Sequence, residues 1–321
     1  MNERAVLARL CQGPVSMQAL AAELALDQEA VQASVASLRA SGLPIVERDD
    51  REVTLTAPLQ LLDANSILDA MNRQSRDLVQ GITVFFETDS TQARADAAPT
   101  PHQGSHVFLA ERQSAGQGRR GRSWASPLAA NIYMSVSRRF AGKVGTLSGL
   151  SLVVGVAVAE SLHAQGFNQV ELKWPNDLFA DGRKLGGILI ALRSDGGPGS
   201  QSLIGIGLNV CMPATSALLI EQDWCDLSQL GGNGISRNEL AASLLDHLLP
   251  ALEQFGSDGL AGFMDRWQRL DALAGRAVRV LDGARVHEGV VLGITGSGAL
   301  RVSAGGREQI FSSGDVSLRP A

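Results

Sequence analysis

Between Gln113 and Trp124 the chain runs Gly116-Gln117-Gly118-Arg119-Arg120-Gly121-Arg122. Three glycines and three arginines in seven residues leave almost no apolar surface to bury and no carboxylate to balance the charge. Glycine loses more conformational freedom on folding than any other residue, so this stretch predicts a mobile, cationic loop that orders around an anion. Backbone N–H groups and guanidinium forks suit phosphate, which Arg binds bidentately. The same residues also spell G-x-G-x-x-G, the dinucleotide fingerprint. That fingerprint needs a strand before it, a helix after it and an acidic residue roughly twenty positions on. Residues 106–110 (His-Val-Phe-Leu-Ala) supply the strand. Ser123-Trp124-Ala125-Ser126-Pro127 comes next instead of a helix, and Pro127 argues against an early one. Arg138 and Arg139 stand where the acid belongs. The residues therefore weigh against a Rossmann domain, and no Walker A pattern occurs anywhere.

At 321 residues the chain is long for one core and predicts two or three domains. The net charge is −5, so an anion site has to be local. No window reads as a membrane span of ~18 apolar residues, and no signal-peptide core is seen at the start. Cys11, Cys211 and Cys225 are scattered, with no C-x-x-C pair, which argues against a metal site or disulfide framework and fits a reducing cytoplasm.

Residues 1–60 predict three short helices and a hairpin. Ser16 and Asp27 are placed to cap the second and third helices, and Gly42 and Pro44 end the third. A hairpin around Arg48-Asp49-Asp50-Arg51 completes a winged helix-turn-helix pattern, whose third helix enters the major groove. The charge opposes a strong DNA reader: residues 1–57 hold five basic and eight acidic side chains, a net −3, and four of the acids are in the wing. Specific DNA binding and a protein-contacting role both stay open.

The central segment, residues 65–270, begins with an expected helix over 64–78 and a buried strand over 83–86. The polar turn at 87–92 opens a helix; Ser90 and Thr91 read either as caps or as hydroxyls at the strand end, where α/β sheets bind ligands. Residues 131–137 alternate as a strand, and 147–164 is apolar nearly all round, as in a buried helix. Lys173-Trp174-Pro175-Asn176-Asp177 forms a rigid turn that alone is no more than an Asx-type turn. Lys184 heads an otherwise buried strand followed by Gly186-Gly187, and reads either as a solvated strand end or as a ligand contact beside a close approach. Residues 203–210 form a further small-residue strand, and Ser236-x-x-Glu239 is a capping box for a helix through Leu249. Residues 272–321 read as short strands with glycine turns, a small antiparallel barrel of SH3 size.

Taken together, Asp89-Ser90-Thr91, Gln113, the 116–122 loop, the K-W-P-N-D block, Lys184-Leu185-Gly186-Gly187-Ile188 and Gly205-Ile206-Gly207-Leu208-Asn209 resemble biotin–protein ligases. The order matches most fully the bifunctional bacterial type that is also a biotin operon repressor. The resemblance implies an α+β multidomain fold. Its parts are an N-terminal winged helix-turn-helix (1–60), a central α/β catalytic domain with a mixed sheet related to class II aminoacyl-tRNA synthetases (65–270), and an SH3-like C-terminal β-barrel (272–321). It implies formation of biotinyl-5′-AMP from biotin and MgATP, then transfer to a lysine of the biotin carboxyl carrier protein of acetyl-CoA carboxylase. No tightly bound prosthetic group and no protein metal site are implied.

By the same resemblance, biotin contacts fall to Ser90, Thr91, Gln92, Gln113, Gln117, Gly118, Arg119, Lys184 and Gly187. Nucleotide contacts fall to Arg120, Arg122, Trp124, Asn176 and Asn209, with Lys184, Arg119 and Asp177 as the catalytic set. Operator DNA and a homodimer are implied partners, and a membrane is not. Two other readings remain: a regulator that senses an adenylate without turnover, and a lipoate-type ligase. Gln117 departs from the bifunctional type, which usually has Arg there; without that charge, weaker loop ordering or nucleotide affinity is expected.

Overall fold

The computed structural model describes residues 2–48, 52–142, 144–194, 199–213, 220, 222–282, 285–312 and 316–320. Three helices, α1 (Asn2–Leu10), α2 (Met17–Leu24) and α3 (Gln28–Ala40), open the chain. The predicted caps form: Ser16 Oγ accepts from the Ala19 amide at 3.1 Å and Asp27 Oδ1 from the Ala30 amide at 2.7 Å. Strands β1 (Val15–Ser16), β2 (Ile45–Glu47) and β3 (Glu52–Leu55) make a three-stranded sheet in the order β1-β3-β2. Residues 49–51 at the expected hairpin tip, with two of its four acids, lie outside the described residues. Leu7, Leu20, Val35 and Val53 share a core with Leu128 and Ala129 from the central segment.

The helix expected over 64–78 is two pieces, α4 (Ala64–Ala70) and α5 (Arg73–Arg76). Asn72 breaks it by taking the Ser75 amide on its own side chain at 2.9 Å, the local competition that Asn offers to a helix backbone.

A seven-stranded sheet comes next. It comprises β4 (Val79–Thr88), β5 (Ser105–Gln113), β6 (Ile132–Ala141), β7 (Val170–Lys173), β8 (Asp177–Ala180), β9 (Arg183–Ser194) and β10 (Gly199–Leu208). The order is β4-β5-β6-β10-β9-β8-β7. Helix α6 (Thr91–Ala97) lies in the crossover between β4 and β5, which are parallel. The other pairings are antiparallel, so the sheet is mixed, as expected. Alternation sorts the faces. Ile132, Met134 and Val136 of β6, with Ile204, Ile206 and Leu208 of β10, point into the main core. Their neighbours Tyr133, Ser135, Gly205 and Gly207 point to the other face.

Helix α7 (Leu150–Ala164) covers the core face. Against the sequence reading, the stretch Val144–Ala164 is long and apolar enough to cross a membrane, at a mean hydropathy of 1.6. Here, however, 61% of that window is buried inside the protein, as in a core helix. Helix α8 (Arg237–Asp258) packs beside α7 and runs past the expected end at Leu249. Pro250 lacks the N–H that Asp246 O would receive, and the Ser75 hydroxyl donates to that carbonyl instead at 3.3 Å. Arg237 and Glu111, both buried, pair at 2.7 Å and fix the connecting segment: Arg237 donates to Gln60 O, and Glu111 accepts the Leu62 amide.

After α9 (Met264–Leu270), strands β11 (Ala277–Asp282), β12 (Arg285–Ile294), β13 (Leu300–Ala304), β14 (Arg307–Phe311) and β15 (Val316–Pro320) form an antiparallel five-stranded sheet, ordered β14-β13-β12-β11-β15. The expected Asp282-Gly283 turn includes Gly283, which lies outside the described residues. Val280, Leu300 and Val302 join the same core as α7 and α8.

Asp271 sits where α9 meets this sheet. Burial pushes its carboxyl from 3.8 up to about 6, against the Leu273 amide bonded to Oδ1. Folding therefore strengthens proton binding, so this group's contribution to stability is full below about pH 4 and is lost as pH rises through 6. Two pKa units correspond to roughly 3 kcal/mol. Asp271→Asn is expected to remove that slope, read as denaturant midpoints at pH 4.5 and 7. An unchanged slope would place the titration elsewhere.

Candidate active site

The sequence blocks converge on the sheet face opposite α7, around a cavity of about 640 Å³. Its floor is low because the residues side by side are small. Ser135 lies opposite Gly205, and Gly207 lies between Tyr133 and Gly187. A Cβ on Gly207 would come within 2.5 Å of the Trp124 ring, and one on Gly187 within 3.3 Å. The indole thus rests on two glycines. Its Nε1 is buried and has no hydrogen-bond partner among the described residues.

The arginine loop, expected to be a mobile loop that orders around an anion, is drawn into a closed hairpin. Gly118 N–H donates to Arg122 O at 2.6 Å, Trp124 N–H to Gly116 O at 2.9 Å, and Gln117 pairs with Ser123. Glycine at 116 permits this, since a Cβ there would lie 2.6 Å from Trp124 O. At the tip Arg120 adopts φ 58°, a left-handed conformation rare outside glycine. Arg119 turns inward and donates to Asn176 Oδ1 at 2.8 Å. Burial depresses its pKa, Arg120 and Arg122 depress it further, and Asp177 opposes them. A cation held under that strain favours an incoming anion.

The opposite end of the cavity is neutral. Gln113 Oε1 accepts the Thr91 amide at 2.8 Å and lies 3.1 Å from its hydroxyl. The Gln113 amide donates to Ser126 Oγ at 3.0 Å, and Ser126 to Trp124 O at 3.1 Å. Ser135 sits 2.8 Å from the Thr91 hydroxyl and donates to Gln92 Oε1, while Gln92 Nε2 donates to Leu203 O. Ser90 does both things the sequence left open: it lines the cavity and accepts the Gln92 amide as a helix cap.

Lys184 is no solvated strand end. Its Nζ is 2.8 Å from Asp177 Oδ1 and 5.7 Å from the Trp124 ring, with the two side chains 18% and 21% exposed. Its amide donates to Asp223 O and its carbonyl accepts from Cys225, which pins Trp224 beside the cavity. The Asn176 amide donates to Ile188 O at 2.8 Å, locking the turn to β9. Asn209 lines the wall and spends its amide on Cys225 O.

The structure thus gathers Ser90, Thr91, Gln92, Gln113, Gln117, Gly118, Arg119, Arg122, Trp124, Asn176, Asp177, Lys184, Gly187 and Asn209 around one cavity. Arg120 is the exception: it sits at the hairpin tip and does not line the cavity. Among the cavity-lining residues, sequence reasoning did not name Tyr133, Ser135, Gly205, Gly207 or Trp224 as site residues. The alternation of 131–137 and the glycines of 203–210 held a signal for four of them; nothing local marked Trp224.

A cavity with a neutral amide-and-hydroxyl end and a cationic end, and with no Ser-His-Asp set among its described lining residues, suits the alignment of an anionic substrate rather than covalent attack on it. Residues 85–209 match the model of the biotin/lipoate A/B protein ligase family, and residues 274–319 that of the biotin protein ligase C-terminal domain. The chain is 35% identical over 306 residues to the bifunctional ligase/repressor BirA of Escherichia coli (strain K12), spanning 95% of this chain and 93% of the relative. It is 33% identical over 241 residues to the biotin–[acetyl-CoA-carboxylase] ligase of Mycobacterium tuberculosis, spanning 73% and 88%. A biotin protein ligase from Aquifex aeolicus, solved in complex with biotin and ATP, superposes with a TM-score of 0.65 at 26% identity over 75% of this chain and all of that one. The chain belongs to the biotin protein ligase family.

Proposed function

We propose that this protein joins biotin to ATP as biotinyl-5′-AMP and passes the biotin to a lysine of a biotin carboxyl carrier protein. The observation that carries this is the convergence of Arg119 and Lys184 on one cavity whose far end is the Thr91–Gln113–Ser135 network. That network offers donors and acceptors that suit the two N–H groups and one carbonyl of a ureido ring. A lipoyl dithiolane ring has neither.

In the first step the biotin carboxylate, already ionised at pH 7, attacks the α-phosphorus, and pyrophosphate leaves with the magnesium of the nucleotide complex. Arg119 and Lys184 stabilise the charge on the phosphoryl oxygens. Arg122, Gln117 and Gly118 hold the loop over the adenylate, and Trp124, Asn176 and Asn209 shape the nucleotide side. In the second step a carrier lysine attacks the mixed anhydride and AMP leaves. Asp177, which lines the cavity beside Lys184, is the carboxylate assigned to orient that amine. The closed loop keeps water off the anhydride.

The test is mass spectrometry of a biotin-carrier domain after incubation with the protein, biotin and MgATP, with lipoate in a parallel reaction. A gain of one biotin on the carrier is expected. Gain from lipoate alone would assign the other acid, and binding without transfer would make the protein a sensor.

We further propose the three domains 1–60, 65–270 and 272–321, the first a winged helix and the last an SH3-like cap, in a cytoplasmic protein that dimerises. Repression of a biotin operon by the first domain is supported by the bifunctional relative and opposed by its net −3. A complex with operator DNA is expected to weaken steeply as salt rises, because phosphate neutralisation dominates such affinity. No band shift at low salt would end the repressor reading.

A further inference from the structure

We propose that Trp174 is a positioning residue for adenylation, acting by hooking the 174–177 turn onto the C-terminal sheet. The proposal rests on reading the cavity as an adenylating site. Trp174 is 2% exposed, and a buried indole N–H needs a partner. It finds one 124 residues away, donating to Gly298 O at 2.9 Å. The receiving turn is itself stiff. Gly298 N–H donates to Thr295 O, Thr295 N–H to Ala299 O, and Thr295 Oγ1 lies 2.9 Å from Ser297 Oγ. It is also wedged against the start of α7: a Cβ on Gly298 would come within 3.1 Å of Leu152 and 3.2 Å of Gly149. The Ser148 hydroxyl adds a second tie, to Ser297 O at 2.5 Å.

The residues immediately after Trp174 belong to the site. The Pro175 carbonyl accepts from Ser151, Asn176 takes the Arg119 guanidinium, and Asp177 pairs with Lys184. One end of this turn is therefore anchored in the C-terminal sheet, and the other presents the partners of both cations. The Asn176–Ile188 bond ties the far side of the turn to β9, so releasing the hook removes the restraint at the Trp174 end and lets Asn176 and Asp177 shift about the one that remains. A site that works by alignment loses rate from displacements of this kind. The neutral end of the cavity, built on α6, β5 and β6, is untouched by it.

Trp174→Phe keeps the ring and removes the N–H. In the folded variant we expect the rate of adenylate formation to fall about tenfold, with biotin affinity within twofold of wild type. A cycle with Asp177→Asn is expected to be non-additive in rate, because both changes act through one turn. Unchanged adenylation, a parallel loss of biotin affinity, or additive effects would each overturn the proposal. Should Trp174→Phe fail to fold, Ser148→Ala loosens the same turn from its exposed side. A twofold to threefold loss on the same step is expected there, and no loss would overturn the proposal. A wild-type protein that forms no adenylate would refute the reading of the site, not the hook.

Discussion

Lys184→Ala is expected to stop adenylate formation, with pyrophosphate release falling about a thousandfold and biotin still bound. The chemistry concentrates the demand on this side chain. The attacking carboxylate needs no base, so the barrier lies in bringing two anions together and holding the charge on the phosphoryl oxygens. One preorganised donor aimed at such charge is worth about 3–4 kcal/mol. Lys184 is preorganised: it is mostly buried, held at 2.8 Å by Asp177, and its backbone is fixed to the 223–225 segment. Its removal has a second cost, because Asp177 is left as an uncompensated carboxylate in a site built for anions. Asp177→Asn in the Lys184→Ala background is accordingly expected to recover a part of the loss, about fivefold to tenfold. Near-normal pyrophosphate release by Lys184→Ala would remove Lys184 from the mechanism.

The site was legible in the sequence to the extent that chemistry was unusual locally. Three arginines among glycines, a lysine heading a buried strand and Trp-Pro-Asn-Asp in a turn are each hard to explain by packing, and all three meet at the cavity. Ser135 and Tyr133 were hidden because a serine or tyrosine in an alternating strand looks like any strand residue; only the register with Gly205 and Gly207 shows which way they face. Trp224 was hidden because its place depends on pairing beside Lys184, forty residues earlier. The failures in the fold have similar causes. Asn72 broke a helix by a side-chain bond that competes with the backbone, and Pro250 failed to break one because Ser75 supplies the missing donor. The shared core of the central and C-terminal segments is a tertiary fact that no short pattern encodes.

Arg119→Gly is expected to leave adenylate formation measurable and to let the product escape, with its dissociation from the protein about a hundredfold faster. Arg119 shares the phosphoryl charge with Lys184, and its place suits it to grip the product as well: it reaches inward from a hairpin tip and has Asn176 to steady it. A charge-assisted bond of this kind contributes about 1.5–3 kcal/mol, which is one to two powers of ten in an off-rate. Glycine also returns freedom to a tip that already holds Gly121, so the hairpin opens more often. The two contributions separate with Arg119→Lys, which keeps the charge and the backbone restraint but loses the fork; retention is expected to fall between wild type and glycine. Gln117 bears on the same result. It lines the cavity and pairs with Ser123 without adding charge, so Arg119 and Arg122 are the cavity-lining guanidiniums of the loop. Rapid gel filtration of preloaded protein measures the retention. If Arg119→Gly holds the adenylate as long as wild type does, the loop is not what grips it.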